Sequence, residues 1–292
     1  MKSLLPITLF SALTLVACNP AATTNDGKGE VTLKFSSTQT ARALLRTTLT
    51  DIPVTDTAGN VSGHITISDA WVVIKEVELQ GEDDDENADD DINKLEFVGP
   101  FALDLLTGTS YPEIPQVTID TGVYTDIELD IEKLQNNDLT GMPNLPQGIA
   151  DKLLDYSVYI EGSYDSADGT TYVAVPFLLA LEDGDEFEFS GTDFSSGFMV
   201  DDQGVNDIIV AFRLNEWFRF DNTETNSDNF TLEDAIADNG NGNEIILRSN
   251  TNSEVMHVIA DNLEESAEYG KDEDGDHELD ENEDDDDVEY DD

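Results

Sequence analysis

The sequence predicts a mainly β protein: an antiparallel β-sandwich followed by a C-terminal helix and an acidic tail. Three observations carry this. Apolar residues recur at every second position in short runs, as at Ile127, Leu129 and Ile131 between Asp126, Glu128, Asp130 and Glu132, which is the period of a strand with one buried face. Turn residues separate these runs, and Asp168-Gly169 stands between two of them as a hairpin signal. Helical spacing appears late, at Val255, Val258, Ile259, Leu263 and Ala267. Short strands joined by turns argue a sandwich.

Charge narrows the partners. Against 13 Lys and Arg stand 66 Asp and Glu, a net charge of −53. No basic surface is left to neutralise phosphates, so nucleic acid is excluded as a partner, and so is electrostatic adsorption to anionic lipid. Dense carboxylates instead attract divalent cations. The hydrophobic fraction of 38% suffices for a core because it is concentrated in strand-like runs. A single cysteine leaves no internal disulfide to brace that core.

The N-terminal segment has the form of a secretory signal. Met1-Lys2 is a positive start, Leu4 to Val16 is mostly apolar and too short for a stable span, and a small residue precedes Cys18. Leu15-Val16-Ala17-Cys18 resembles a bacterial lipobox, which implies removal of residues 1–17 and a diacylglyceryl group on Cys18. The membrane would then be reached through that lipid. Asn19, where an Asp would imply inner-membrane retention in enterobacterial lipoproteins, favours the outer membrane. Residues 18–30 read as a flexible tether of Pro, Ala, Thr and Gly.

Strand signals follow from Val31 to Phe35 and from His64 to Leu79, the latter apolar enough for a central strand covered on both faces. Residues 82–91, almost all acidic, are expected to be a disordered hairpin tip. The chain returns through Leu95, Phe97, Phe101, Leu103 and Leu105, with Gly99-Pro100 marking a bulge or bend. After Val117 and Ile119 comes the acid-faced strand around Ile127, read as a solvated face. A Pro-rich loop leads to Ala150–Leu154, then to strands around Tyr156–Ile160, Tyr172–Leu181, Phe187–Phe189 and Ile208–Leu214. Residues 31–220 form the sandwich domain, as one unit or as sub-domains 31–134 and 155–220. One unit is preferred, because no linker separates them. Residues 221–270 read as a helical extension, with Thr231–Ala237 as a short helix and Asp238–Asn243 as a turn.

Three blocks carry a family resemblance. Ser68-Asp69-Ala70-Trp71-Val72-Val73-Ile74-Lys75-Glu76-Val77-Glu78, then Leu103-Asp104-Leu105-Leu106, then the corner Gly122, Tyr124, Ile127 and Leu129 together resemble the core motifs of an uncharacterised domain family common in bacterial lipoproteins. The resemblance covers roughly the first half of the chain after the signal. It implies a β-sandwich of the prealbumin or immunoglobulin-like kind, and it brings no catalytic residues. The corner also has a physical reading: Gly turns the chain, and the Tyr hydroxyl ties the bend.

The main chemical signal lies near the C-terminal end. Thr251-Asn252-Ser253-Glu254 reads as a capping box, and Gly270 is placed to end the helix that follows. Residues 271–292 are an acidic tail, expected to be disordered apart from a calcium-loop pattern. Asp272, Asp274, Asp276, Glu278, Asp280 and Glu283 fall at positions one, three, five, seven, nine and twelve of an EF-hand loop, with apolar Leu279 at the eighth. That spacing wraps a chain around one Ca2+. His277 replaces the sixth-position Gly, no second helix follows, and the expected affinity is weak, on the order of 10⁻⁴–10⁻³ M.

The leading expectation is a lipid-anchored, non-enzymatic envelope or surface lipoprotein with a β-sandwich body and Ca2+ bound in the tail. The alternative is a glycan- or protein-binding surface module of adhesion type, with Tyr111, Tyr164 and Trp217 as candidate aromatic platforms. A hydrolase is the least favoured. His64, His257 and His277 are far apart, no nucleophile elbow or phosphate loop is present, and chance carboxylate pairs are unavoidable with so many acids.

Overall fold

In a computed structural model, residues 27–36, 48–81, 94–182, 198–202, 205–223, 226–238, 240 and 242–272 are described. The expected signal, Cys18, the acidic loop 82–91, the strand at Phe187–Phe189 and the tail beyond Asp272 lie outside the described residues.

The fold is mainly β. In chain order the elements are β1 (Lys28–Ser36), β2 (Leu49–Thr55), β3 (Val61–Gly81), β4 (Lys94–Asp104), β5 (Thr109–Tyr111), β6 (Val117–Asp120), β7 (Gly122–Ile131), α1 (Gln147–Leu153), β8 (Val158–Ser166), β9 (Val175–Leu181), β10 (Phe198–Val200), β11 (Val205–Phe212), β12 (Ile236–Asp238), β13 (Asn243–Leu247), α2 (Ser253–Glu265) and β14 (Ala267–Lys271). They build two sheets. The smaller has the order β14-β11-β1-β6. The larger runs β10-β7-β3-β8-β9-β13-β12, with β2 and β4 also on β3, and β5 on β4.

β3 is the spine of the larger sheet. Its 21 residues pair with β2 and β8 in the first half and with β4 and β7 in the second. One strand can serve four neighbours because it is long enough to be flanked by one pair of partners early and another pair late. Against β8 the register slips between Ile67 and Asp69, and against β4 and β7 it slips between Ile74 and Glu76. At the second slip, Gly99 of β4 crosses so close that a Cβ would lie 2.7 Å from the Ile74 carbonyl oxygen, so this position needs glycine.

Most pairings are antiparallel, as the alternation predicts. Two are parallel, β1 with β11 and β9 with β13, which makes each sheet mixed. Parallel partners are distant in sequence, and short-range turn signals cannot reveal them. The two stretches read as potential sub-domains interleave: β1 pairs with β11 and β3 with β8.

The inner faces of both sheets meet in one apolar cluster. Val31, Leu33, Phe35, Ile208, Val210 and Phe212 come from the smaller sheet; Ile65, Ile67, Ile74, Leu79, Leu129, Ile160 and Phe177 come from the larger. Phe198 of β10 meets Tyr269 of β14 edge to face, and the Tyr269 hydroxyl donates to the Thr125 carbonyl of β7, tying sheet to sheet. The corner behaves as its residues predict. The Tyr124 hydroxyl donates to the Asp120 carbonyl at 2.9 Å, and burial raises that phenol to about 12.

The end of the chain differs from its sequence pattern. The helix stops at Glu265, and Gly270 lies in β14, opposite Ile209 of β11. Tyr269, the helical spacing notwithstanding, is drawn into the core as a strand residue. The capping box at Thr251–Glu254 does not form. Thr251 is held in a backbone bridge with Arg248, and Asn252 enters the helix in the left-handed conformation with φ of 57°. Its amide donates to the Ala235 and Ile246 carbonyls, so tertiary contacts hold the helix start where the local cap is missing. Among residues 231–237, Leu232–Ala235 form one 3-10 turn before β12, with the Asp234 carboxylate accepting from the Thr231 N–H and hydroxyl.

Candidate functional site

Of the six residues in the calcium-loop pattern, Asp272 is described; Asp274, Asp276, Glu278, Asp280 and Glu283 lie outside the described residues, as does Cys18. Asp272 follows β14 directly. Its N–H donates to the Asp207 carbonyl at 2.9 Å, which extends the β11–β14 ladder by one bond. It is therefore preceded by a strand, where the motif calls for a helix.

The register puts Thr32 of β1 beside Asp207 of β11, and Asp207 beside Asp272. Two carboxylates on neighbouring strands repel unless a cation joins them. Lys34 supplies it: its Nζ lies 2.7 Å from Asp207 Oδ2 and 4.0 Å from Asp272 Oδ2. The Thr32 hydroxyl donates to the other Asp207 oxygen. The Asp272 side chain is 0% exposed. One strand turn away, Glu268 pairs with Arg213, its second oxygen buried without a hydrogen bond. Lys271 reaches Asp201 at 3.4 Å. The end of β14 is thus fastened by Glu268 and Asp272 on one face and by Tyr269 and Lys271 on the other.

A second acidic arrangement lies on the outer face of β4, β3 and β7. Glu76, Glu78 and Glu96 each can present a carboxylate oxygen within 4.8 Å of the others'. Glu78 stands directly opposite Glu96 on one side and Glu128 on the other, and Glu76 stands opposite Asp130. Oxygen donors of this kind suit hard divalent cations. They equally suit a face turned to water, the reading their alternation already gave for β7.

A third polar group sits where β3, β8 and α1 meet. Lys152 lies 4.1 Å over the Tyr159 ring, 3.0 Å from Glu161 and 3.9 Å from Asp69. Burial and the Glu161 charge push the Tyr159 phenol upward. Burial opposes ionisation of Glu161, but the Tyr159 hydroxyl and Lys152 outweigh it and hold that carboxyl low. Asp104 nearby is raised by burial, although the Thr107 hydroxyl and the Leu106 and Thr107 amides oppose this.

The aromatic candidates are placed differently from their expected role. Trp217 and Tyr164 are fully buried. Trp217 packs edge to face on Phe212, and the Tyr164 hydroxyl donates to Glu233 and to the Ser62 carbonyl. Tyr111 is half-buried against Trp71, with ring centroids 6.0 Å apart. Tyr164 is an inward position of β8, whereas Trp217 lies in the turn after β11 and is buried by its packing on Phe212. His64 lies on β3 and His257 on the exposed side of α2, and the two share no element.

Sequence reading missed Lys34, Asp207 and the cross-strand set around Glu78. Lys34 and Asp207 are far apart along the chain and meet through a parallel pairing. The glutamates meet through a register fixed by a bulge. Glu76-Val77-Glu78 was legible as alternation, but its partners were not. Comparison with protein-family models, with curated proteins and with solved structures finds no match. Among the described residues, no helix is long and apolar enough to cross a membrane.

Proposed function

We propose that this chain is a lipid-anchored, non-enzymatic envelope lipoprotein of the outer membrane, whose β-sandwich carries a Ca2+-binding segment at Asp272–Glu283. The observation that carries the anchor is Leu15-Val16-Ala17-Cys18, with the sequence's one cysteine at the position a lipid would occupy. A body of charge −53 needs such an anchor at an anionic surface, and two or more acyl chains give stable attachment where one does not. β1 begins at Lys28, which leaves a short tether between lipid and sandwich. The loop spacing from Asp272 to Glu283 supports calcium, and Asp272 marks where that segment leaves the smaller sheet. The resemblance to a lipoprotein domain of unknown function agrees with a role without catalysis.

A glycan-binding platform built on Tyr164 and Trp217 has less support, because both rings are core residues. The test has two arms. Palmitate labelling should mark the wild-type chain and not Cys18→Ser. Calorimetric titration with Ca2+ should give saturable heat for the wild type and a loss of about tenfold or more in affinity for Glu283→Gln, which removes the bidentate ligand. An unlabelled wild type would sink the anchor, and an absence of calcium heat would sink the metal.

A further inference from the structure

We propose that Arg248 and Tyr156, on the outer face of the larger sheet, form a binding site for a small carboxylic acid with an apolar body. The site is independent of both the calcium segment and the lipid anchor.

Arg248 stands apart from the other cations. Carboxylates outnumber Lys and Arg by 66 to 13 in this chain. Lys28, Lys75, Lys152, Arg213, Arg219 and Lys271 each pair with one. Among the described residues Arg248 pairs with none, although Glu182 lies just past the end of the neighbouring β9. Its Nε is buried without a hydrogen-bond partner, and its guanidinium carbon lies 5.5 Å from the centroid of the Tyr156 ring. Stacking of that kind uses the face of the guanidinium. The N–H donors lie around its edge and stay unmet, which is costly for a half-buried group. A carboxylate supplies two oxygens that match two parallel N–H groups of the fork. Tyr156 is also half-buried, and among the described residues its hydroxyl has no partner either.

The sheet sets these groups side by side. Leu247 of β13 stands opposite Leu179 of β9, so Arg248 follows at the level of Ala180, and Ala180 stands opposite Tyr159 of β8. Ala180 is wholly buried and reaches no further than its methyl group, which lets larger side chains meet above it. Tyr156 lies against Tyr159 there, with ring centroids 6.0 Å apart. Each ring carries a cation: Lys152 covers Tyr159, and Arg248 covers Tyr156. Lys152 is satisfied by Glu161 and Asp69. One positive charge is therefore left for a ligand. That suits a single carboxylate, because a polyanion would find no second cation and would meet the repulsion of a chain at −53.

The apolar body has its own surface. Ile246 stands opposite Leu178, both are half-buried, and the strand period puts them on the face of Arg248 and Ala180. Two residues along a strand span about 7 Å, the reach of a short alkyl chain.

The experiment titrates the full chain, isotopically labelled, and follows its arginine Nε–Hε signals and the Ile246 amide by NMR. The Arg248 signal is the one missing from Arg248→Lys. Hexanoate should shift it saturably, with a dissociation constant on the order of 1 mM. Hexanamide, the same body without the charge, should not. Acetate, which lacks the body, should bind about tenfold more weakly than hexanoate. Read from the Ile246 amide, Arg248→Gln should weaken hexanoate by about tenfold or more, and Tyr156→Phe, which keeps the stacking ring, by about threefold or more. If Arg248→Gln does not fold, Tyr156→Phe and the contrast between hexanoate and hexanamide still decide. No shift with hexanoate, equal shifts with hexanamide, or undiminished binding by either folded variant overturns the site. Acetate binding as tightly as hexanoate overturns the apolar body. N-acetylleucine binding about tenfold or more tightly than hexanoate overturns the free acid in favour of a peptide carboxyl end.

Discussion

The middle of β3 and its C-terminal end treat their outer faces in opposite ways. In the first region Trp71 and Val73 point away from the main core, yet they are buried. Leu134, Met142, Leu145, Ile149, Ala150 and Leu153 fold over them to make a second, smaller core, with Tyr159 beside Trp71 across the ladder. In the second region Glu76 and Glu78 point the same way and are flanked by Glu96, Glu128 and Asp130. The change happens at the bulge beside Lys75, whose ammonium reaches Asp138 at 3.2 Å, in the segment leading to α1. The inner face runs on through Ile74, Val77 and Leu79 without interruption. One strand can therefore be a core element on both faces and, within a few residues, carry a half-buried acidic outer face. What decides is whether the outward positions offer apolar area for a connecting segment to cover.

The covered half should be the costlier to damage. Trp71→Ala empties the second core and should destabilise by about 3–5 kcal/mol in denaturant unfolding. A loss under about 1 kcal/mol would mean that the covering segment contributes little, and would undo the contrast. At the boundary, Lys75→Met leaves Asp138 largely buried without its cation. The expected loss is about 1–3 kcal/mol, and residues 134–153 should become more sensitive to protease than the rest of the chain. Uniform sensitivity would show that Lys75 does not fasten that segment.

The acidic half should respond with the opposite sign. Glu78→Gln removes a charge with a like charge opposite on both sides and should stabilise by roughly 0.2–1 kcal/mol at low salt. That gain should shrink as salt screens the wild type. A gain that persists at high salt would assign it to something other than repulsion.

The smallest effects separate the regions by pH. Beside Trp71, burial raises the Asp104 carboxyl, so its stabilising contribution is full below the unfolded value of about 3.9 and is lost as pH rises through the folded value. At the exposed β8–β9 turn, the Thr171 hydroxyl, the Thr170 and Thr171 amides and the Ser166 hydroxyl hold Asp168 well below the usual range. Its contribution is full above about 3.9 and is lost as pH falls through the folded value. Melting curves across pH should therefore show Asp168→Ala trailing the wild type most near neutrality and converging with it in acid. Asp104→Asn should be most nearly equal to the wild type, or above it, near neutrality. Parallel curves for the two variants would refute the assignment.

Legibility followed range. The turn at Asp168-Gly169, the corner at Gly122 and Tyr124, and the bend at Gly99-Pro100 were readable because each depends on residues close in sequence. The acidic face of β7 was readable for the same reason. Lys34 was not, since nothing around it names Asp207 or Asp272. The C-terminal helix was misjudged at its end. Ala267 fits a helical spacing, but the free edge of β11 offers backbone bonds that five residues of strand can satisfy, and Tyr269 gains burial there.

By itself the sequence determined a β class, strand faces with period two, several tight turns, and a net charge of −53. Those properties depend on local sterics and on composition, which any short stretch carries. The tertiary structure decided the parallel pairings, the register shifts along β3, and the burial of Asp272 beside Lys34. Those depend on which distant strands meet and in what register, and a shift of one residue would reverse every face. Asp272, singled out by its spacing along the chain, is held in the fold by the β11–β14 ladder, which only the distant pairing of those strands could decide.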